Sequence, residues 1–380
     1  MRFETLAVHA GQGPDPTYGA VMTPIYQTST FAFRGVKQPG PFDYSRSGNP
    51  TRRALEDCLA ALEGGTRGFA FATGMAAEAT VLMMFEAGDH LVVHDDLYGG
   101  TYRLLVSTLQ NKGLQIDFVN LRDLSAAAAA LRPNTRAMWL ETPTNPLMNL
   151  LDLRALADIA RSRGVLTVCD NTFLSPYFQR PLDLGVDVVI HSTTKYINGH
   201  SDVVGGAAVV KDPTLAERIG FLQNALGTCA GPQDCFLVMR GIKTLPLRME
   251  AHNRNALGLA RWLRERPEVE EVLHPGLECH PQHALGRRQM TGYGGTFSFR
   301  LRGGEEAVLR LLGAVRLFAL AESLGGVESL IEHPSSMTHV SMPAEVRRGV
   351  GITEDLIRVS VGIEHLDDLV ADLDQAFAAR

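Results

Sequence analysis

Cysteines are few in this chain, and long apolar runs are missing. The five cysteines are an odd number, stand far apart and include no Cys-x-x-Cys pair, which argues against a disulfide framework and a structural zinc site. No stretch approaches the roughly 20 apolar residues that a membrane-spanning helix needs. The first residues, MRFETLAVHAGQG, lack the basic flank and apolar core of a signal peptide. We therefore expect a protein of the reducing cytoplasm that is neither exported nor inserted into a membrane.

A block of one charge sign is also missing. The 36 lysines and arginines are scattered among 42 acidic residues, and the formal net charge is -6. Such a distribution offers no basic footprint for nucleic acid, so the expected partner is a small molecule held at a local site. With 380 residues, 45% of them apolar, the chain is long enough for a large core and about two domains.

The chain divides into three parts by its patterns. Residues 1–50 are rich in Gly, Pro, Thr and Tyr with little periodicity, which predicts an extended arm. Between residues 51 and 246, short apolar runs such as GFAFAT, HLVVH, LTVCD and VDVVIHS alternate with helical patterns, which predicts a doubly wound α/β domain with helices on both faces of a parallel sheet. Residues 247–380 contain the strand patterns EVLHP, TFSFRL and LIRVSVG, which indicate a smaller α+β domain.

The segment ATGMAAE ends the first predicted strand and opens a helix. Thr73 and Gly74 stand at the start of that helix, where unpaired backbone N–H groups and the positive helix end suit an anion. The alternative is that Thr73 serves only as a helix cap.

A carboxylate follows a second buried strand, in the segment CDNTF. Asp170 comes directly after the apolar run LTV, and an unpaired ion in a dry interior is costly. Asp170 therefore needs a partner, which is either a ligand or, alternatively, a helix end or a structural ion pair.

Lys195 lies in HSTTKYINGH, a decapeptide with hydroxyls and no acid. An ordinary lysine would keep its ammonium group in water. If Lys195 instead joins an aldehyde as an imine, the missing counter-ion is explained, because an adjacent acid would raise its pKa and oppose loss of the proton. Pyridoxal 5'-phosphate brings an aldehyde, an anionic phosphate and a pyridine nitrogen that needs an anion, and so satisfies all three segments. No dinucleotide-binding or P-loop glycine motif is found in the required context.

Ten segments together resemble the Cys/Met metabolism group of pyridoxal-phosphate enzymes, which includes cystathionine γ-lyases and γ-synthases. In chain order they are YSRSGNPTR, ATGMAA, DLYGGTYR, ETPTNP, CDNTF, HSTTKYINGHSDVVGG, GIKTLPLRME, LAESLGGVESL, MTH and LIRVSVGIE. Their number and order make the set far more specific than any one of them. The resemblance implies fold type I architecture, with a large, doubly wound, mostly parallel sheet domain and a smaller C-terminal α+β domain.

The resemblance also implies roles around the cofactor. Lys195 would hold the cofactor covalently and, once substrate has displaced it, carry protons as the free amine. Tyr98 would stack on the ring, and Asp170 would keep the pyridine nitrogen protonated. The phosphate would contact Gly74, Met75, Ser192 and Thr194 and, from the arm of a neighbouring copy, Tyr44 and Arg46.

For the substrate, the resemblance implies that Arg358, in LIRVS, clamps the α-carboxylate, a task suited to its planar pair of donors. The alternative is an ordinary surface arginine. Asn145 would support the same carboxylate, and Glu322 and Ser323 would contact the substrate. Glu322 is implied to pair with the distal ammonium of cystathionine or with incoming cysteine, unless it is simply a surface acid.

The activity expected from this resemblance is that of a cystathionine γ-lyase, acting on a sulfur amino acid. The alternatives are a γ-synthase, which joins an O-acylhomoserine to cysteine, and a cofactor-binding regulator without catalysis. Gly100 stands where methionine γ-lyases of the group carry a reactive cysteine, which argues against that activity. Ser336 is expected on a variable part of the pocket wall. By analogy with the group, a homotetramer built as a dimer of dimers is expected.

Overall fold

The computed structural model describes residues 1–340 and 342–379. Within these residues the α-helices are α1 Phe3–His9, α2 Pro50–Glu63, α3 Gly74–Leu82, α4 Gly99–Leu104, α5 Leu124–Ala129, α6 Leu153–Arg161, α7 Ser175–Phe178, α8 Pro213–Leu226, α9 Pro232–Ile242, α10 Leu245–Arg264, α11 His283–Gln289, α12 Gly304–Ala314, α13 Ala344–Val350 and α14 Leu366–Phe377. The strands are β1 Arg67–Phe71, β2 His90–His94, β3 Gln115–Val119, β4 Thr135–Glu141, β5 Leu166–Asp170, β6 Val188–His191, β7 Gly206–Val210, β8 Val269–Leu273, β9 Thr296–Leu301, β10 Ala319–Leu320, β11 Leu330–Glu332 and β12 Leu356–Ser360.

The larger sheet has seven strands in the order β1-β7-β6-β5-β4-β2-β3. Strands β2 to β6 pair in parallel, whereas β7 runs antiparallel to both of its neighbours, β1 and β6. A parallel connection needs a crossover, usually a helix, and no helix lies in the connection 192–205 between β6 and β7. The prediction of a mostly parallel, doubly wound sheet is therefore confirmed, with β7 as the reversed strand.

Both faces of this sheet are buried. Val168 and Ile190 belong to one hydrophobic cluster, and their chain neighbours Cys169 and Val189 belong to another. Side chains alternate between the faces of a strand, so a continuous apolar run fills two cores at once.

The smaller sheet has five strands in the order β10-β11-β12-β9-β8. One face packs on α10, α12 and α14 through a separate hydrophobic cluster that includes Phe297, Phe299, Ile357 and Val359. The residues that alternate with these, among them Ser298, Arg358 and Ser360, project from the opposite face. The predicted domain boundary at residue 247 falls in the first turn of α10, and the division into domains stays a prediction.

The first fifty residues differ in part from the expected extended arm, because they begin with helix α1. Ala7 of this helix is fully buried in the core that α2 also helps to form. A seven-residue helix is marginal in water by itself, so packing against the body of the protein stabilises it, and the sequence pattern alone does not reveal this. None of the described helices is long and apolar enough to cross a membrane.

Candidate active site

A cavity of about 380 Å³ lies at the carboxyl edge of the larger sheet. Strands β1, β4, β5 and β6 all end there, as expected for ligand sites in open α/β sheets. The cavity brings together most of the residues predicted from the sequence: Gly74, Met75, Tyr98, Asn145, Asp170, Ser192, Thr194, Lys195, Glu322, Ser323 and Arg358. These residues come from both ends of the chain, and only the fold makes them neighbours.

Lys195 projects into this cavity. Its ammonium group donates to the Ser323 hydroxyl at 2.6 Å, and no carboxylate of the described residues lies within ion-pair distance. Burial, together with the nearby Arg358 cation, lowers the pKa of Lys195 from 10.5 to about 8. The neutral amine, which is the nucleophilic form, is thus accessible near physiological pH.

The loop that carries Lys195 is held from behind by Arg248. This buried guanidinium donates to the carbonyl oxygens of Tyr196 at 2.6 Å and Ile197 at 3.2 Å. Gly325 approaches the same loop so closely that a Cβ there would lie 2.6 Å from the Tyr196 nitrogen. Arg248 and Gly325 lie within the segments GIKTLPLRME and LAESLGGVESL, but nothing local in those segments shows which loop they support.

Ser323 links the lysine to the arginine. Its hydroxyl accepts the bond from Lys195, and its carbonyl oxygen accepts one from Arg358 Nη2 at 2.7 Å. Ser323 adopts φ = 90°, a region that non-glycine residues seldom occupy and that is associated with functional sites. This conformation lets one residue contact both cationic groups.

Arg358 is buried, with only 2% of its surface exposed, so the alternative of a surface arginine is wrong. Its Nη1 donates to the Asn145 side-chain oxygen at 2.9 Å and lies 2.9 Å from a carboxylate oxygen of Glu332. The guanidinium therefore faces the cavity from a fixed position beside Asn145.

The segment at the start of α3 forms an open cradle. The Thr73 hydroxyl accepts the Ala76 N–H at 2.8 Å, so Thr73 caps the helix. Thr73 also lines the cavity, and an anion site at this helix end stays a prediction. A Cβ on Gly74 would lie 3.0 Å from the Ser192 Cβ, so only glycine leaves this space free beside the helix end. Helix N-termini with free N–H groups favour phosphate.

The hydroxyl of Thr194 is engaged within the chain. It donates to the Gly205 carbonyl at 3.1 Å and accepts the Gly205 N–H at 3.0 Å. A hydroxyl has one proton to donate, so a bond from Thr194 to phosphate would have to replace the bond to Gly205. Its role in the phosphate site stays a prediction.

Asp170 lines the cavity and has no cationic side chain of the described residues as its partner. Its Oδ1 accepts the Thr172 N–H at 2.8 Å, and among the described residues no lysine, arginine or histidine forms an ion pair with it. Burial raises the pKa of this carboxyl. Asp170 is therefore not part of a structural ion pair among the described residues. A cationic ligand would supply the partner that this carboxylate lacks.

Tyr98 and Asn145 are held in place by one carboxylate that the sequence interpretation missed. Glu141, the last residue of β4, accepts the Tyr98 N–H at 2.8 Å with one oxygen and the Asn145 N–H at 2.9 Å with the other. Burial raises the pKa of Glu141 well above its usual range. Glu141 opens the segment ETPTNP, but its bond to Tyr98 spans 43 residues and leaves no local signal.

A second missed acid, Glu78, also lines the cavity. It is 3% exposed, and its Oε2 has no hydrogen-bond partner in the described part of the chain. Burial, aided by the neighbouring Asp170 charge, raises the pKa of Glu78 to about 8. Glu78 is thus expected to be mainly neutral at pH 7.

Four residues considered in the sequence analysis lie outside the cavity lining, namely Tyr44, Arg46, Gly100 and Ser336. Tyr44 is 44% exposed, and the Arg46 guanidinium donates to the backbone and side-chain oxygens of Asn224, both at 2.7 Å. Ser336 contacts His333 Nδ1 at 2.9 Å. That Tyr44 and Arg46 reach the phosphate site of a neighbouring copy stays a prediction, as does the tetramer.

Comparison with known proteins gives the family context of this site. A family model described as Cys/Met metabolism PLP-dependent enzyme matches residues 4–378. The chain is 51% identical to a cystathionine beta-lyase of Coxiella burnetii, over 98% of this chain and 97% of that one. It is 52% identical to a cystathionine gamma-synthase of Mycobacterium bovis, over 98% of this chain and 96% of that one. The crystal structure of a cystathionine gamma-lyase from Lactobacillus plantarum, complexed with L-serine, matches with a TM-score of 0.97 and 47% identity, covering 100% of this chain and 99% of that one.

Proposed function

Because the chain belongs to the Cys/Met metabolism family of pyridoxal-phosphate-dependent enzymes, we propose that it is a cystathionine γ-lyase, which converts cystathionine and water into cysteine, 2-oxobutanoate and ammonia. One observation carries this proposal: a single cavity combines a buried arginine, a lysine of lowered pKa and Glu322, an acid exposed at the cavity wall. Cystathionine carries a second ammonium group beyond its sulfur, and Glu322 offers it an opposite charge.

The residues of the cavity fit pyridoxal phosphate. Gly74 keeps space open beside the N-terminus of α3 for a phosphate. Asp170 lines the cavity as an acid that forms no ion pair with a cationic side chain of the described residues. Among the described residues no carboxylate lies within ion-pair distance of Lys195, and burial together with the Arg358 cation outweighs the effect of Glu332 and Glu322, so the pKa of Lys195 is lowered. When bound, the cofactor supplies a protonated ring that accepts the electron pair released from the substrate α-carbon.

The side chains of the protein position the substrate and move its protons. Arg358 and Asn145 hold the α-carboxylate, which directs the α-carbon towards Lys195. The Lys195 amine takes the α-proton and then moves a proton at the β-carbon, so that the bond from the γ-carbon to sulfur can break and cysteine can leave as a thiol. Ser323 keeps the amine in this path through its 2.6 Å hydrogen bond.

Relatives at 50–52% identity carry three different activity names, namely beta-lyase, gamma-lyase and gamma-synthase. The beta-lyase activity was not considered in the sequence interpretation. Beta-elimination breaks the other carbon–sulfur bond of cystathionine and would give homocysteine, pyruvate and ammonia. The γ-synthase would use an O-acylhomoserine and cysteine. Each of the three reactions therefore gives different products, and these products identify the reaction.

We expect purified enzyme loaded with pyridoxal phosphate to release 2-oxobutanoate and cysteine from cystathionine in equal amounts. Mass spectrometry of the oxo acids and thiols measures this directly. Pyruvate and homocysteine as the main products would contradict the γ-lyase proposal and indicate a β-lyase. Much faster formation of cystathionine from O-acetyl- or O-succinylhomoserine plus cysteine would indicate a γ-synthase, and no turnover with any substrate would favour a regulator.

The lowered pKa of Lys195 predicts how cofactor loading depends on pH. Its ordinary value is 10.5 and its value in the cavity is about 8, so the neutral fraction at pH 7 is about one tenth instead of less than about one thousandth. We expect the rate at which apoenzyme gains the visible absorption of bound cofactor to rise through pH 8 and then level off. A rate that still rises steeply between pH 9 and pH 10.5 would contradict the lowered pKa.

A further inference from the structure

Glu332 has no role in the site described so far, although it touches the most important substrate-binding group. It ends β11, directly opposite Arg358 of the antiparallel strand β12. One carboxylate oxygen of Glu332 lies 2.9 Å from Arg358 Nη1, and the two side chains are only 1% and 2% exposed. Opposed charges on neighbouring strands attract each other, and here the attraction is little screened by solvent.

The contacts around this pair fix its geometry. The Thr338 hydroxyl, which lines the cavity, donates to the same Glu332 oxygen at 2.8 Å. The other Glu332 oxygen and the Arg358 Nε have no partner among the described residues. The guanidinium is therefore held through Nη1 by Glu332 and Asn145 and through Nη2 by Ser323, while donors on Nε and Nη2 are left over.

A buried arginine without a counter-ion would bind any carboxylate that entered the cavity very strongly. Glu332 supplies a counter-ion from within the protein, 2.9 Å from Arg358 Nη1, so an incoming carboxylate meets a guanidinium whose charge is already partly offset. Both proposed products, cysteine and 2-oxobutanoate, carry a carboxylate and must leave. Binding that is equally strong for substrate and transition state does not raise kcat, and binding that is just as strong for the products slows their release.

We propose that Glu332 is a positioning residue for Arg358 that also offsets part of its positive charge. Glu332 holds the guanidinium at the cavity wall and lowers the affinity of Arg358 for the carboxylate of the bound amino acid. This inference rests on the proposed function only in that Arg358 binds the substrate carboxylate. It does not depend on which of the three reactions the enzyme catalyses.

The test compares ligands that differ only in the carboxylate. Glycine and glycinamide are titrated into the holoenzyme at one pH, and the dissociation constant of each is read from the change in visible absorption. The ratio of the two constants measures preference for the carboxylate. Comparing this ratio between variants removes the effect of the different amine basicities of the two ligands. It also removes the effect of any loss of folded protein, which is the change that a merely structural role of Glu332 would cause.

In Glu332→Gln the amide oxygen can still accept from Arg358, but the negative charge is gone. We expect the preference for glycine over glycinamide to rise about tenfold. In Glu332→Ala the guanidinium also loses its support, so the preference should rise less than in Glu332→Gln. An unchanged or lower preference in Glu332→Gln would overturn the proposed charge effect, and equal values in the two variants would overturn the positioning role.

The chain offers a matched control in the same sheet. Glu271 of β8 lies opposite Arg300 of β9, and their closest nitrogen and oxygen atoms are 3.2 Å apart, but this pair is outside the cavity. We expect Glu271→Gln to leave the preference unchanged, and a change as large as in Glu332→Gln would overturn the inference. If the wild-type enzyme showed no preference for the carboxylate, the assignment of Arg358 under the proposed function would fail first, so the two failures can be told apart.

Discussion

Replacing Lys195 with alanine is expected to abolish turnover and the visible absorption of bound cofactor together. The substitution removes the only amine that lines the cavity among the described residues. Proton transfer by a positioned group contributes about 10²–10⁴-fold to the rate, so we expect kcat to fall at least about a hundredfold from the loss of this transfer alone. Steady-state release of oxo acid and an absorption spectrum of the purified variant measure both effects.

A suitable control is Lys211→Ala. Lys211 is also held by the protein, since its ammonium group donates to the Leu182 carbonyl and to Asp183, both at 3.1 Å, but it lies outside the cavity. This variant should keep both turnover and absorption. Substantial turnover in Lys195→Ala would contradict the assignment, and exogenous small amines that restore activity to that variant would support it.

The parts of the site that could be predicted from sequence are those that depend on local pattern. The apolar runs GFAFAT, LTVCD and VDVVIHS mark strands whose ends carry Gly74, Asp170 and Lys195. Parallel strands place their carboxyl ends at one edge, so these residues were expected together, and the structure lines one cavity with them. The α/β fold followed from the same alternation of strands and helices, and is confirmed.

The parts that could not be predicted depend on contacts between distant segments. Ser323 reaches Arg358 across 35 residues, and Glu141 reaches Tyr98 across 43. Neither contact leaves a periodic or spaced signal, because each forms only when strands that are distant in the chain pair within one sheet. In the local sequence Glu332 is only one polar residue in a short strand. The register between β11 and β12 shows that it lies opposite Arg358.

The same limit applies to strand direction. The connection after Lys195 contains no helix, and this absence could have indicated that β7 returns antiparallel, but the apolar residues of β7 by themselves do not reveal its direction. The resemblance implies that Thr194 contacts phosphate, and this stays a prediction. The sequence does not show that its hydroxyl also closes the loop onto Gly205.

Replacing Arg358 with leucine is expected to lower kcat/KM for cystathionine about a hundredfold or more. Loss of one partner from a buried hydrogen-bonded charge pair costs about 2–5 kcal/mol, and here the lost partner is the group that we propose receives the substrate carboxylate. The effect should lie mainly in KM if the carboxylate is held equally throughout the reaction. Arg358→Lys should recover only part of the activity, because an ammonium group lacks the planar pair of donors.

Activity lost because Arg358 no longer binds the substrate carboxylate must be separated from activity lost because the protein is less stable. Arg358→Leu leaves Glu332, which is 1% exposed, as an unpaired buried acid, and such a loss of one partner destabilises proteins by about 3–5 kcal/mol. In the double variant Arg358→Leu/Glu332→Gln the unpaired charge is gone, so thermal unfolding should return towards the wild-type midpoint while kcat/KM stays low. Recovery of kcat/KM along with stability would show that Arg358 acts on the fold and not on the substrate.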